Sequence, residues 1–268
     1  MEEAWKAIVL GILQGVLEWL PISSQGNLIL VMTWLLGIDL ADALSFSVYL
    51  HAGTLLAAAL YFRRDILAML KALTSYRLRR SDREGRLISF LLFTTILTGF
   101  VGFIIYKLAE AYLTVVGEFF TAVIGAALIT TGLIQKFAKE REKRNIDDVK
   151  LSDTLILGVV QGFSAFPGMS RSGITISALL IRGFNDEAAL KLSFLMSIPA
   201  VFIAEIGLAS GASFSQIRLM NLLLGVVFSF LMGTLSIHVL MKTVGRIRFW
   251  SLCILIGVLA VLPLLSYL

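Results

Sequence analysis

Apolar residues run along the chain in blocks separated by short polar segments, and several blocks reach the ~20 residues a helix needs to cross the hydrocarbon core of a bilayer. Three long blocks lie near 44–62, 87–107 and 113–136, and three more near 189–209, 218–241 and 248–267. A pair of shorter blocks precedes each set: 4–20 with 22–37, broken at Pro21, and 153–166 with 169–182. At about 1.5 Å per residue, most of these shorter segments reach only about 20–25 Å. That is short for a full crossing and suits a re-entrant hairpin that turns inside the membrane. The pattern predicts an all-α membrane protein built from two five-segment halves, residues 1–136 and 153–268, joined by a charged linker over 137–152. Each half combines one re-entrant helix pair with three transmembrane helices.

The polar residues of the two short pairs repeat. The stretch Gly11 to Gly26 overlays Gly158 to Gly173 without gaps, so that Gly11 meets Gly158, Gln14 meets Gln161, Gly15 meets Gly162, Ser23 meets Ser170 and Gly26 meets Gly173. Hydroxyls, an arginine and a glutamate are costly in lipid, and two copies at one fixed offset point to a duplicated fold whose polar turns meet at a working site.

Composition and charge fix the setting. The chain is 58% hydrophobic, and its mean hydropathy of +0.89 lies far from that of a soluble domain. Its pI of 9.4 invites a nucleic-acid reading, but the basic residues sit in loops between apolar blocks, which is what orientation in a bilayer requires, so nucleic acid is set aside as a partner. Arg63, Arg64, Lys71, Arg77, Arg79, Arg80, Arg83 and Arg86 occupy one loop. Lys136, Lys139, Arg141, Lys143, Arg144 and Lys150 occupy the linker region, and Lys242, Arg246 and Arg248 precede the last block. All three regions are expected to be cytoplasmic. The loops near 108–112 and 210–217 carry almost no basic residues and fall on the other side. Three crossings per half make the halves inverted, put both termini outside, and let the first hairpin enter from outside and the second from the cytoplasm. A homodimer is left open.

The candidate chemistry sits at the hairpin tips. Arg171 offers a planar fork of donors suited to phosphate oxygens. It stands at the start of a predicted helix, where the backbone N–H groups of Ser170, Arg171 and Ser172 would also bind an anion. Ser170, Ser172 and Thr175 add hydroxyls; the alternative is that they cap the helix while Arg171 snorkels to the interface. Glu18 lies one turn after Gln14 on the same face. A carboxylate this deep in an apolar block would pair with Arg171, take a proton from a nucleophile or water, or hold a divalent cation; a purely structural ion pair is the competing reading. Ser23 and Ser24 follow Pro21 at the first tip, as nucleophile candidates or helix caps. His51 in the third block is either a site member or packed by a hydrogen bond. Gln161 joins the candidates as the second copy's counterpart of Gln14. Two histidines and one cysteine argue against a zinc site.

Gln14-Gly15-x-x-Glu18-Trp19-Leu20-Pro21-x-Ser23-Ser24-x-Gly26 resembles the first signature of the undecaprenyl-diphosphatase (bacitracin-resistance) family. Pro167-Gly168-Met169-Ser170-Arg171-Ser172-Gly173-Ile174-Thr175 resembles its second, and Leu50-His51-Ala52-Gly53-Thr54-Leu55 also matches a family stretch. The resemblance covers the whole chain. It implies a membrane phosphatase that hydrolyses a long-chain polyprenyl diphosphate to the monophosphate and so recycles the lipid carrier of cell-envelope glycans, with its active site open to the outer face. Ser24 matches the serine proposed as the family's nucleophile. Mg²⁺ or Ca²⁺ at Glu18 is chemically reasonable, and no organic cofactor is implied. The chain departs from the pattern at Asn27, where the family usually has histidine. Either the histidine is dispensable and the Asn27 amide binds a phosphate oxygen, or the activity is altered. The alternative function is a polyprenyl-phosphate flippase or another transporter on the same inverted-repeat fold.

Overall fold

A computed structural model describes residues 4–74, 82–116, 120–137, 144–166, 168–209, 219–243 and 250–261. Outside these lie Arg77, Arg79, Arg80, Lys139, Arg141, Lys143, Arg246 and Arg248 of the basic regions, Pro167 of the second signature, and the stretch 210–217. The described residues form α1 (Ala4–Leu17), α2 (Ser24–Leu30, continued by a wider turn over Val31–Leu35), α3 (Leu40–Tyr61), α4 (Arg63–Leu73), α5 (Arg83–Val116), α6 (Phe120–Phe137), α7 (Leu151–Gly162), α8 (Arg171–Ile181), α9 (Asp186–Ala209), α10 (Leu219–Thr243) and α11 (Trp250–Val261).

Among the described residues, four stretches are long and apolar enough to cross a bilayer: Asp42–Tyr61, Arg83–Ala109, Asp186–Gly207 and Leu219–Thr243. Their outward faces carry rows of exposed large side chains, such as Leu92, Ile96, Phe100 and Phe103 on α5 and Leu223, Val227, Leu231 and Leu235 on α10. Patches of that extent would drive a protein in water to aggregate; against acyl chains they are at home, and the chain is a multi-pass membrane protein. By contrast α1 has 14 residues, α7 has 12 and α8 has 11. At about 1.5 Å per residue none reaches the ~30 Å of a hydrocarbon core.

The structure departs from the sequence pattern in two places. The break expected near 108–112 does not occur, because α5 runs on to Val116; Lys107, Leu108, Ala109, Glu110 and Ala111 are all good helix formers. The basic region after α3, expected as a loop, begins with α4. Its Ile66 and Met69 turn inward, while Arg63, Arg64 and Lys71 stay exposed.

Close backbone approach locks the short helices to long ones. A Cβ on Gly15 would lie 2.7 Å from the Ser229 carbonyl and the Gly233 nitrogen of α10, and one on Gly11 would lie closer still to the Gly225 carbonyl. On the other side of the molecule, a Cβ on Gly158 would lie 2.7 Å from Leu97 and one on Gly162 would lie 2.6 Å from Val101, both on α5. Small residues four apart give each helix a flat face for its neighbour. α6 and α11 meet at a third such crossing, where Gly125 and Gly257 each face the other's carbonyl. The core between these layers is capped by Trp19, edge-on to Phe194 with 4.9 Å between ring centroids.

Candidate functional site

The α1–α2 turn and the start of α8 meet around one carboxylate. Glu18 follows α1, its backbone N–H still donating to the Gln14 carbonyl, and its side chain is buried. Four side chains from three parts of the chain face it. Gln14 Nε2 donates to Oε2 at 3.0 Å and Ser24 Oγ donates to the same oxygen at 2.5 Å. Arg171 Nη2 donates to Oε1 at 2.6 Å. His51 Nε2, from α3, stands 3.4 Å from Oε2. His51 Nδ1 lies 2.7 Å from the Ser47 carbonyl, an acceptor only, so that nitrogen carries a proton. Thus Glu18, Ser24, Arg171, Gln14 and His51 come together.

Local sequence explains the placement. Pro21 ends any continuation of α1, and the chain reverses through Ser23, whose φ of 63° lies in the left-handed region. Ser23 Oγ accepts from Gly26 N–H at 3.3 Å and starts α2, which presents Ser24 to Glu18. Ser170 does the same for α8, accepting from Gly173 N–H at 3.1 Å, and so sets Arg171 as its first residue. The Arg171 guanidinium rests over the Trp19 ring, 5.6 Å from its centroid. Its Nη1 is buried with no hydrogen-bond partner among the described residues, and so is Gln14 Oε1. Unpaired buried donors are costly, so this one marks where an anionic oxygen fits.

The remaining candidates bond to the surrounding protein. Ser172 Oγ donates across to the Leu20 carbonyl at 3.0 Å and lies 3.3 Å from Ser170 Oγ. Thr175 Oγ1 bonds the Arg171 carbonyl and Ser193 Oγ, both at 2.7 Å. Asn27 Nδ2 donates to the carbonyls of Ile22 and Ser23, at 2.7 and 2.8 Å, and thereby ties down the first tip. Gln161 is not brought to Glu18; it donates to Thr98 Oγ1 on α5 at 3.1 Å. Ser170 N–H, expected to face an anion, donates to Thr131 Oγ1 at 3.3 Å instead. The N–H groups of Arg171 and Ser172, in the first turn of α8, have no acceptor within the helix. Sequence reasoning passed over Thr131 and Gln135 of α6, whose only signal was two polar side chains one turn apart in an apolar block.

The site as built is a poor fit for a metal. Both Glu18 oxygens face protein donors, one of them a guanidinium, and no group of three His, Cys, Asp or Glu side chains able to hold an ion occurs among the described residues. What the arrangement can do is hold an anion against Arg171 beside a hydroxyl already hydrogen-bonded to a carboxylate.

Residues 7–262 match the family model described as bacitracin resistance protein BacA. An undecaprenyl-diphosphatase of Methanococcoides burtonii is 44% identical over 263 residues, covering 97% of both chains. One of Haloarcula marismortui is 36% identical over 95% of each chain. One of Methanopyrus kandleri is 35% identical over 97% of this chain and 96% of its own.

Proposed function

The chain belongs to the bacitracin resistance protein BacA family, and we propose that it hydrolyses undecaprenyl diphosphate, releasing inorganic phosphate and leaving the monophosphate in the membrane. The relatives' shared name favours hydrolysis over lipid transport. The buried Ser24–Glu18–Arg171 contact carries the assignment to a site, because Arg171 keeps one donor unpartnered among the described residues.

On binding, the terminal phosphate takes Arg171 through Nη1 and then Nη2, with the N–H groups of Arg171 and Ser172 adding to its hold. Losing Arg171 frees Glu18 Oε1 and leaves the carboxylate to take the Ser24 proton. Ser24 Oγ forms a bond to the terminal phosphorus, the bond from phosphorus to the bridging oxygen breaks, and prenyl monophosphate departs. Water then cleaves the phosphoserine, releasing phosphate and restoring Ser24. His51 and Gln14 hold Glu18 in place, and positive charge at Arg171 matches the charge spread over the transferring phosphoryl group. Ser23, Ser170, Ser172, Thr175 and Asn27 shape the tips, and Gln161 fastens the second pair to α5. Mg²⁺ or Ca²⁺ would enter on the diphosphate, whose oxygens would supply its ligands.

The inverted duplication, residues 1–136 against 153–268 with two re-entrant pairs, forms part of the proposal. Reciprocity of the packing supports it. The first short pair packs through Gly11 and Gly15 on α10, in the second half, while the matching Gly158 and Gly162 pack on α5, in the first. Gly125 and Gly257, each in the last span of its half, face each other. In this reading both termini and the mouth of the site are outside, and the prenyl chain lies along an apolar groove between spans.

The test is phosphate release from a long-chain prenyl diphosphate by purified protein. Glu18→Ala should lower kcat about 10²–10⁴-fold and Arg171→Ala about 10²–10³-fold. Wild-type turnover in both variants would sink the site assignment, and lipid flipping in vesicles without phosphate release would sink the reaction.

A further inference from the structure

We propose that Thr131 and Gln135 of α6 are positioning residues that keep the two tips in register when Arg171 leaves Glu18 for the substrate; this rests on the reading of Ser24, Glu18 and Arg171 as the reacting site. One stripe of α6 runs past both tips. Near its start, Ile124 sits between the tip glycines: a Cβ on Gly26 would come within 3.1 Å of Ile124 Cγ2, and one on Gly168 within 2.8 Å of the Ile124 carbonyl. Two turns later Thr131, fully buried, accepts from Ser170 N–H at 3.3 Å and reaches Met169 Sδ at 3.4 Å. One turn further, Gln135 Nε2 donates to the Pro21 carbonyl at 2.5 Å. Thr131 therefore grips the residue before Arg171, and Gln135 grips the turn that leads to Ser24. A Cβ on Gly173 would lie 2.7 Å from Thr131 Cγ2 and 3.0 Å from Gln135 Nε2, so α8 is seated directly on these two side chains.

The free protein also holds its tips together through the Glu18–Arg171 ion pair at 2.6 Å and the Ser172–Leu20 hydrogen bond at 3.0 Å. The ion pair is the link that phosphate binding breaks. From then until product leaves, the separation of Ser24 from Arg171 depends on Ser172 and on the α6 stripe. Loss of the stripe is therefore felt most in the bound state, where a small misplacement of nucleophile and anion holder is costly.

Thr131→Val removes the acceptor at constant shape, Thr131→Ser keeps it, and Gln135→Leu removes the second grip. Each is measured for kcat, KM and thermal midpoint beside Arg171→Ala. Thr131→Val and Gln135→Leu are expected to lower kcat about ten-fold, the effect of one lost hydrogen bond. KM should stay within about two-fold, the midpoint of the free protein should fall by no more than one lost buried hydrogen bond accounts for, and Thr131→Ser should restore kcat. Unchanged kcat in both variants, while Arg171→Ala is inactive, overturns the proposal alone. A fall in midpoint with full kcat in the folded fraction also overturns it, by assigning the stripe to stability. If Arg171→Ala is fully active, it is the underlying site reading that fails. Should Thr131→Val not fold, Gln135→Leu and the activity of Thr131→Ser relative to wild type decide the same question.

Discussion

At the scale of the residue, Ser23 carries the tension between a Cβ and a turn. Its φ of 63° costs any residue other than glycine, yet its Oγ caps α2 and its carbonyl receives the Asn27 amide. Ser23→Ala keeps the backbone strain and loses the cap, so it should destabilise by about 0.5–2 kcal/mol. Ser23→Gly loses the cap but also the strain, and should melt above the alanine variant in the same detergent. The reverse order would mean that the turn is not held in this conformation. Asn27→Ala strips the buried Ile22 carbonyl of its side-chain donor and leaves the Ser23 carbonyl the backbone N–H of residue 27; it should lower stability by about 1–3 kcal/mol, while KM for the diphosphate stays near wild type. A large rise in KM would instead put the amide on the substrate. Glu18, Ser24 and Arg171 were legible in the sequence because charge and hydroxyls in an apolar block are conspicuous. The use of Asn27 was not, since an amide that binds phosphate and one that ties down a turn have the same sequence signature.

At the scale of the element, the second short pair is clasped at its far end. Asp153, fully buried in the first turn of α7, accepts from Arg144 Nη2 at 2.6 Å, from Arg182 Nε at 2.8 Å and from the Lys150 N–H at 2.8 Å. Arg144 also lies over the Phe184 ring, 4.2 Å from its centroid. Burial by itself would raise the Asp153 pKa, but the hydrogen bonds from Arg144, Lys150 and Arg182 outweigh it and the net direction is down. A carboxyl lowered on folding contributes stability that is fully present above its unfolded pKa of about 3.9 and is lost as pH falls through the folded value. The melting midpoint should therefore be insensitive to this group near neutrality and drop in acid. Asp153→Ala should flatten that acid limb and cost about 3–5 kcal/mol at neutral pH, because two arginines lose their anion; an unaltered acid limb would assign it to other carboxyls. The element boundaries near this clasp were readable from the apolar blocks. The clasp was not, because Arg144 read as one more cytoplasmic charge until the fold brought it to Asp153, and α4 was masked in the same way by the density of arginine around it.

At the scale of the whole molecule, the meeting of two tips constrains topology. If two hairpins enter a bilayer and touch mid-membrane, they do so from opposite faces or side by side from one face, and the span count between them decides which. The proposed inverted duplication has three crossings between the pairs, which requires opposite faces and would put the basic regions at Arg63–Arg64, Arg83–Arg86 and Arg144–Lys150 all in the cytoplasm. Single cysteines in a Cys253→Ser background give the test: one at Glu2, one at Asn145 in the linker, one at Leu268. In sealed right-side-out vesicles, a maleimide that does not cross the membrane should label the two terminal positions and spare the linker; in inverted vesicles the pattern should reverse. Labelling of all three from one side would require an even number of crossings per half. Glu18 and Arg171 would then reach each other from the same leaflet, and the exchange of packing partners between α1 on α10 and α7 on α5 would need another explanation than an inverted duplication.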